Sequence, residues 1–228
     1  EQYWPDVANR VNIPNFARQL TDHEKLENTY NVAPAISPDG SRIAIFSNKS
    51  GPMALYLISA EDGRFIKKII QGERNAEFEE LHILKPGITW SKDGTKIAFL
   101  APGKQGGTQI FVRWMDAEGA VSQVSRVNDS PSNIIWSPDG NSIAFQMVVP
   151  PDDDGLWKIN MPPKPDKADW TAKPTIIEQL NYRRDRVGYR PKGYRHIFVI
   201  PADGGTPHRL THGNWHSDSF KWLSLIHI

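Results

Sequence analysis

The chain has 228 residues, of which 39% are hydrophobic and 23% charged, with eight tryptophans and no cysteine. This composition is that of a folded globular protein, and the lack of cysteine excludes disulfides, thiolate metal sites and a cysteine nucleophile. A formal net charge of +1 provides no overall attraction to nucleic acid or to an anionic membrane, and no apolar run reaches the roughly 18–20 residues that a membrane-spanning helix requires.

The first part of the chain shows little strand patterning. The sequence begins at Glu1 without a basic region followed by an apolar run, which we interpret as a start within a longer protein. Helices are predicted near residues 7–17 and 76–84. The segment RQLTDH at residues 18–23 is similar to HRLTHG at 208–213 and predicts the last strand of an earlier repeat.

A turn motif, Ser-Pro-Asp-Gly or Ser-Lys-Asp-Gly, occurs three times. Its serines, Ser37, Ser91 and Ser137, are 91−37=54 and 137−91=46 residues apart, and periods near 40–50 residues are typical of four-stranded propeller blades. The motif suits a type I turn, with glycine taking the left-handed conformation that follows. We therefore assign a structural role to the aspartates and glycines of the three turns: Asp39, Gly40, Asp93, Gly94, Asp139 and Gly140.

Each turn leads into an alternating apolar stretch, RIAIF, KIAFL or SIAFQ, which predicts a buried strand with an alanine face against the next blade. A second hairpin follows in each copy, so that one copy supplies four strands. The sequence thus predicts an all-β fold, a partial β-propeller of about three four-stranded blades spanning residues 1–222. The predicted blades are about 33–70, 87–125 and 133–211, with a further blade starting at 215–222 and a long insertion at 150–195.

The repeat stops abruptly at its fourth tryptophan. Trp90 and Trp136 lead directly into a turn, and Trp222 lies where the next such tryptophan is expected. It is followed by LSLIHI and not by a Ser-Pro-Asp-Gly turn. We interpret residues 223–228 as a non-native tail and the chain as a fragment.

No metal site is predicted. His208, His212 and His216 are spaced by four, which on a helix would align three imidazoles for zinc. The segment reads as a strand followed by a loop, and on a strand this spacing separates the side chains by roughly 13 Å. The acidic run at 152–154 lacks the donor spacing of a calcium loop and is interpreted as solvated. We expect neither a metal nor another cofactor.

The insertion contains a basic stretch interleaved with tyrosines, NYRRDRVGYRPKGYR at residues 181–195. One interpretation is a hairpin with solvated charges. A second is a rim element that contacts substrate or a neighbouring domain, with guanidinium groups available for carboxylates; it would rest on Arg183, Arg184 and Tyr189. A third is nucleic-acid binding by stacking and charge, which the near-neutral net charge disfavours.

The W-S-P-D-G-x-x-I-A-F and A-D-G-G-T-P-x-R-L-T patterns resemble the WD-like repeats of TolB-type propellers and of the propeller in prolyl oligopeptidase-family serine peptidases. QLNYRRDRVGYRPKGYRHIFVIPADGGTPHRLTHG is more similar to the dipeptidyl- and acylaminoacyl-peptidase branch. That resemblance implies the non-catalytic part of a serine-type peptidase, which gates and orients peptides for a separate α/β-hydrolase domain. No Gly-x-Ser-x-Gly nucleophile motif occurs in this chain, so no catalytic residue is assigned.

The alternative implied by the resemblance is a TolB-type propeller of the bacterial envelope that acts only through protein contacts. A Gly-x-Ser-x-Gly motif in the longer protein would separate the two. The resemblance favours a periplasmic or secreted location, and a cytoplasmic one stays open.

Overall fold

Three antiparallel sheets of four strands each account for most of the ordered structure. The computed structural model describes residues 20–21, 31–70, 87–103, 107–115, 121–151, 163, 165–167, 177, 180, 182–185, 188–190 and 192–223. Within these ranges every regular element is a strand, and none of them contains a helix long and apolar enough to cross a membrane. The two predicted helices, at 7–17 and 76–84, lie outside the described residues.

The sheets follow one another along the chain. The first sheet consists of β1 (Asn31–Ile36), β2 (Arg42–Ser47), β3 (Ala54–Ser59) and β4 (Phe65–Ile70). The second consists of β5 (Ile88–Trp90), β6 (Lys96–Pro102), β7 (Thr108–Trp114) and β8 (Val121–Gln123). The third contains β9 (Ser132–Trp136), β10 (Ser142–Val149), β13 (Tyr194–Pro201) and β14 (His208–Arg209); β11 (Arg183–Arg184) and β12 (Gly188–Tyr189) form a separate hairpin.

The sheets pack face to face through alternating side chains. Ala98 of the second sheet lies in one buried cluster with Phe145 and Phe198 of the third, whose rings stack with centroids 5.6 Å apart. Ala44 of the first sheet is likewise buried in a cluster with Phe99 of the second. The small alanine allows each sheet to approach the aromatic face of the next, as the repeat predicts. The partial propeller expected from the sequence is thereby confirmed.

Tryptophan side chains join the first strands of neighbouring sheets. The indole N–H of Trp90, at the end of β5, donates to the carbonyl of Ala35 in β1 at 2.9 Å. The indole N–H of Trp136, at the end of β9, donates to the carbonyl of Thr89 in β5 at 3.1 Å. Each acceptor directly precedes the residue at the tryptophan position of the preceding sheet, so the same bond recurs once per repeat.

Trp222 makes the corresponding bond to the third sheet. Its indole N–H donates to the carbonyl of Ile135 at 3.3 Å, and Ile135 directly precedes Trp136. No sheet surrounds Trp222 among the described residues, and its side chain is 36% exposed. We propose that it marks the first strand of a further blade, in agreement with the expectation for residues 215–222; residues 224–228 of the expected tail lie outside the described part.

The segment preceding the first sheet is described only at two residues. Leu20 packs beside the outward face of the first sheet, next to Ile43 and Tyr56. Neither Leu20 nor Thr21 belongs to a strand. The rest of the strand expected at 18–23 lies outside the described residues.

Candidate functional site

The insertion leaves the third sheet between its two longest strands. β10 and β13 pair without a break from Ser142 opposite Pro201 to Val149 opposite Tyr194. The chain turns at Gly193, where φ is 138° and a side chain would clash with the Val149 carbonyl. The insertion therefore begins and ends at one point of a rigid strand pair.

Towards its C-terminal end, the insertion forms the short hairpin β11–β12. Arg183 pairs with Tyr189 and Arg184 with Gly188, and the Arg190 N–H donates to the Tyr182 carbonyl at 2.8 Å. This pairing brings the rings of Tyr182 and Tyr189 together, with centroids 6.2 Å apart. The predicted contact residues Arg183, Arg184 and Tyr189 thus belong to two adjacent residue pairs of one hairpin.

The hairpin presents its aromatic side chains to solvent. Tyr182 is 43% and Tyr189 60% exposed, and Arg183 is exposed as well. Two adjacent phenol rings beside a guanidinium group offer apolar contact area, hydroxyl groups and a bidentate donor for a carboxylate. This combination suits an extended peptide or an acidic protein segment.

Arg195 belongs to the same basic stretch but has a fixed partner. Its Nε and Nη2 donate to the two carboxylate oxygens of Asp218 at 2.6 and 2.8 Å. This hydrogen bond raises the pKa of Arg195 and lowers that of Asp218. Next to it the rings of Tyr194 and His216 lie 5.5 Å apart. Arg195 therefore anchors the base of the insertion and is not a free cation for a ligand.

The turn residues have a repeated hydrogen-bonding pattern. The hydroxyls of Ser37, Ser91 and Ser137 each donate at 2.5 Å to the aspartate two residues later. Asp93 also accepts from the backbone N–H of Thr95 at 3.0 Å. These bonds lower the pKa of Asp39 and Asp93 to about 2, and they also lower the pKa of Asp139. Gly40, Gly94 and Gly140 have φ near +70°, which glycine adopts without strain.

The three histidines that are spaced by four residues lie on β14 and in the loop that follows it. His208 lies on β14 itself, whereas His212 and His216 follow in the loop. His216 uses its Nδ1 to accept the backbone N–H of Arg195 at 3.0 Å. Among the described residues, no three His, Asp or Glu side chains are grouped so as to hold a metal ion; residues 152–154 lie outside them.

The sequence interpretation overlooked one buried histidine, His196, which is 1% exposed. Its Nδ1 lies 3.1 Å from the hydroxyl of Thr211. The signal was present in the sequence, because GTQIFV and GYRHIFV align so that His196 takes the place of Gln109. Both residues are buried near the start of the third strand of their sheets.

Comparison with known proteins agrees with this fold. The family described as the TolB beta propeller domain matches residues 9–152. The chain is 26% identical over 143 residues to the "Uncharacterized peptidase YuxL" of Bacillus subtilis (strain 168), covering 59% of this chain and 20% of that protein. The chain therefore spans about one fifth of the length of this curated relative.

Solved structures with a similar fold include an acylaminoacyl peptidase and a TolB protein. Pyrococcus horikoshii acylaminoacyl peptidase is 15% identical with a TM-score of 0.50, over 81% of this chain and 26% of that one. TolB from Acinetobacter baumannii is 18% identical with a TM-score of 0.48, over 82% of this chain and 33% of that one. With three sheets built on the repeated turn and a family match over more than half of its length, this chain belongs to the TolB β-propeller domain family.

Proposed function

We propose that this propeller orients peptide substrates for an α/β-hydrolase domain of a serine peptidase of the prolyl oligopeptidase type. The observation that carries the proposal is the hairpin β11–β12 of the insertion, in which Tyr182, Arg183 and Tyr189 are exposed. Similarity to a Bacillus protein named as a peptidase supports it. In this function the guanidinium groups bind a carboxylate of the substrate or of the hydrolase domain, and the tyrosines pack on its chain.

The test is charge reversal in the full-length protein. The double variant Arg183→Glu and Arg184→Glu should raise KM for an acidic or carboxylate-terminated peptide about tenfold and leave kcat little changed, because the contact is made before the chemical step. Arg126→Glu, at an exposed arginine of the second sheet's connection to the third, is the matched control and should leave KM unchanged. An unchanged KM in the double variant would contradict a substrate contact. The chain by itself should hydrolyse no peptide, since nucleophile, base and oxyanion hole belong to the hydrolase domain.

A second candidate function is that of an envelope propeller that acts through protein contacts alone, in the periplasm. One observation favours it: the family match ends at residue 152, before the hairpin, so the matched region is the part that carries no insertion. The gene sequence following the codon of Trp222 distinguishes the two functions. A Gly-x-Ser-x-Gly motif within a hydrolase domain supports the peptidase, and a further series of Ser-Pro-Asp-Gly repeats that ends without one supports the binding module.

A further inference from the structure

Among the described residues, two segments follow the last strand of a sheet, and both are attached to the third strand of the sheet that they leave. In the second sheet the backbone N–H of Ile110 donates to the hydroxyl of Ser125 at 2.8 Å. That hydroxyl in turn donates to the side-chain oxygen of Gln109 at 2.8 Å. Gln109 thus holds the connection between the second and third sheets through a neutral amide.

The third sheet has the same arrangement with a histidine in place of the glutamine. The backbone N–H of Ile197 donates to the hydroxyl of Thr211 at 3.0 Å, and that hydroxyl lies 3.1 Å from Nδ1 of His196. By analogy with Ser125, which donates to Gln109, we assign the Thr211 hydroxyl as the donor and Nδ1 as the acceptor. This requires that Nδ1 carry no proton and the imidazole be neutral. We call residues 211–222, which run from this point to Trp222, the crossing segment.

The surroundings of His196 disfavour a positive charge. Its side chain is almost fully buried, and burial, followed by Arg209 on β14 and by His212 and His216 on the crossing segment, lowers its pKa from the ordinary 6.5. A backbone hydrogen bond with Gly213 acts in the opposite direction without reversing the shift. The nearby carboxylate of Asp218 is engaged by the guanidinium of Arg195.

We propose that His196 makes the attachment of the crossing segment to the third sheet depend on pH: the segment is held while the imidazole is neutral and released when it is protonated. Protonation removes the acceptor of the Thr211 hydroxyl hydrogen, and it places a buried charge beside Arg209. Both effects are relieved when the segment moves away and water reaches the ring. The Trp222–Ile135 bond at the far end of the segment then loses its support.

The sign and range of the effect follow from linkage. Because the pKa of the held histidine is lower than that of a solvated one, the released form binds protons more readily. The attachment is therefore complete above about pH 6.5, where a solvated imidazole is neutral, and it weakens as pH falls below that value. Three other attachments of the crossing segment, from Gln146 Nε2 to the Ser217 carbonyl, from the Ser217 N–H to the Arg195 carbonyl and from Arg195 to Asp218, involve no imidazole.

The test is amide hydrogen exchange of the whole chain at about pH 7.5 and about pH 5.5, a range in which histidine is the side chain that titrates. After correction for the intrinsic pH dependence of exchange, we expect protection of the Ile197 and Ser217 amides to fall about tenfold, the factor by which the neutral fraction of a solvated imidazole falls. The Ile110 amide, held by Ser125 and Gln109, is the internal control and should not change. Equal protection of Ile197 at both pH values would overturn the proposal.

Two variants locate the effect. His196→Gln gives the third sheet the residue that the second sheet has, and protection of Ile197 should become independent of pH while staying high. His212→Gln changes a neighbouring exposed histidine and should leave the tenfold fall in place. A fall that persists in His196→Gln, or that disappears in His212→Gln, would assign the effect elsewhere and reject His196 as its source.

Nitrogen-15 imidazole shifts of the unaltered protein provide a measurement that does not depend on a variant's folding. Nδ1 of His196 should be unprotonated at about pH 7.5, and its protonation should parallel the loss of Ile197 protection. A ring that becomes protonated while Ile197 remains protected would also overturn the proposal.

Discussion

At the scale of single residues, the aspartate of each Ser-x-Asp-Gly turn stabilises the turn more in its charged form than in its protonated form. Asp93 accepts hydrogen bonds from the hydroxyls of Ser91 and Thr95 and from the Thr95 backbone, and these bonds lower its pKa from 3.8 to about 2. A carboxylate with a lowered pKa stabilises the fold above its ordinary pKa, and this contribution is lost as the proton binds. The effect therefore lies between pH 3.8 and about 2 for Asp93, and at the corresponding position for Asp39.

We predict that the free energy of unfolding falls across this acidic range and that Asp93→Asn makes the fall less steep. The asparagine oxygen can still accept the Thr95 N–H, so the turn is kept while one titrating group is removed. Urea unfolding at a series of pH values measures the slope. Lys92→Gln alters the charge of the same turn without removing a carboxylate and should keep the slope of the original protein; identical slopes in all three proteins would contradict a stabilising role of the carboxylate.

At the scale of strands, the tryptophan bond between sheets is a specific contact in an otherwise apolar interface. Trp136 is 6% exposed, and its indole N–H satisfies the Thr89 carbonyl. Trp222 makes the equivalent bond with a longer distance and a more exposed side chain. A hydrogen bond within a dry interface contributes more than one that water can replace.

Trp136→Phe should therefore destabilise the chain by about 1–2 kcal/mol, since it removes the indole donor to the Thr89 carbonyl within the interface. Trp222→Phe should cost less, because water can reach the Ile135 carbonyl. Chemical denaturation monitored by circular dichroism compares the two variants. A cost for Trp222→Phe equal to that for Trp136→Phe would show that exposure does not govern the contribution of this bond.

The sequence sufficed to predict the turns and the strands that follow them, because both depend on local chemistry: proline, aspartate and glycine at fixed positions, then strict alternation. The irregularities in the first strands of the sheets were not predictable in this way. Ala33 and Asn133 have positive φ, 53° and 50°, at the points where the pairing of β1 and β9 shifts register. An alanine with positive φ has no local signal, since packing of the sheet imposes it.

The role of Arg195 and the place of His196 were also outside the reach of spacing arguments. The sequence interpretation grouped Arg195 with the other basic residues of the insertion, whereas its partner Asp218 lies 23 residues away. His196 was passed over because the histidines were compared with each other along the chain. When the second and third repeats are compared, Gln109 corresponds to His196 and Ser125 to Thr211. This comparison identifies Thr211 as the partner of His196.

At the scale of the whole molecule, the third sheet has one face that no other described sheet covers. Ile197 and Val199 are half-buried, whereas Ile110 and Val112, their counterparts in the second sheet, are fully buried against the third. We predict that the purified chain self-associates through this face, because such an apolar surface gains free energy when it is covered. Light scattering after size-exclusion chromatography measures the association.

Val199→Lys should weaken that association, since it places a charge in the middle of the uncovered face. Val121→Lys, at an exposed position of β8 that is 41% accessible, introduces the same charge away from it and should have little effect. A monodisperse monomer over a wide concentration range in the unaltered chain would contradict the prediction.

The recurring indole-to-carbonyl bond also gives the stack of sheets a polarity. The second and third sheets each donate an indole N–H to the sheet that precedes them, as Trp90 and Trp136 do to Ala35 and Thr89, whereas the first sheet has Ile36 at this position. Two copies of the chain cannot satisfy such a bond by meeting with identical faces, so a twofold-symmetric dimer would leave it unmade. A contact between copies that continues the stack in the same direction must be heterologous, and a heterologous contact either closes into a ring or propagates as an open filament. Which of these outcomes occurs depends on the rotation from one sheet to the next, so the polarity that orders the repeats within one chain also limits the geometry of any assembly built from several.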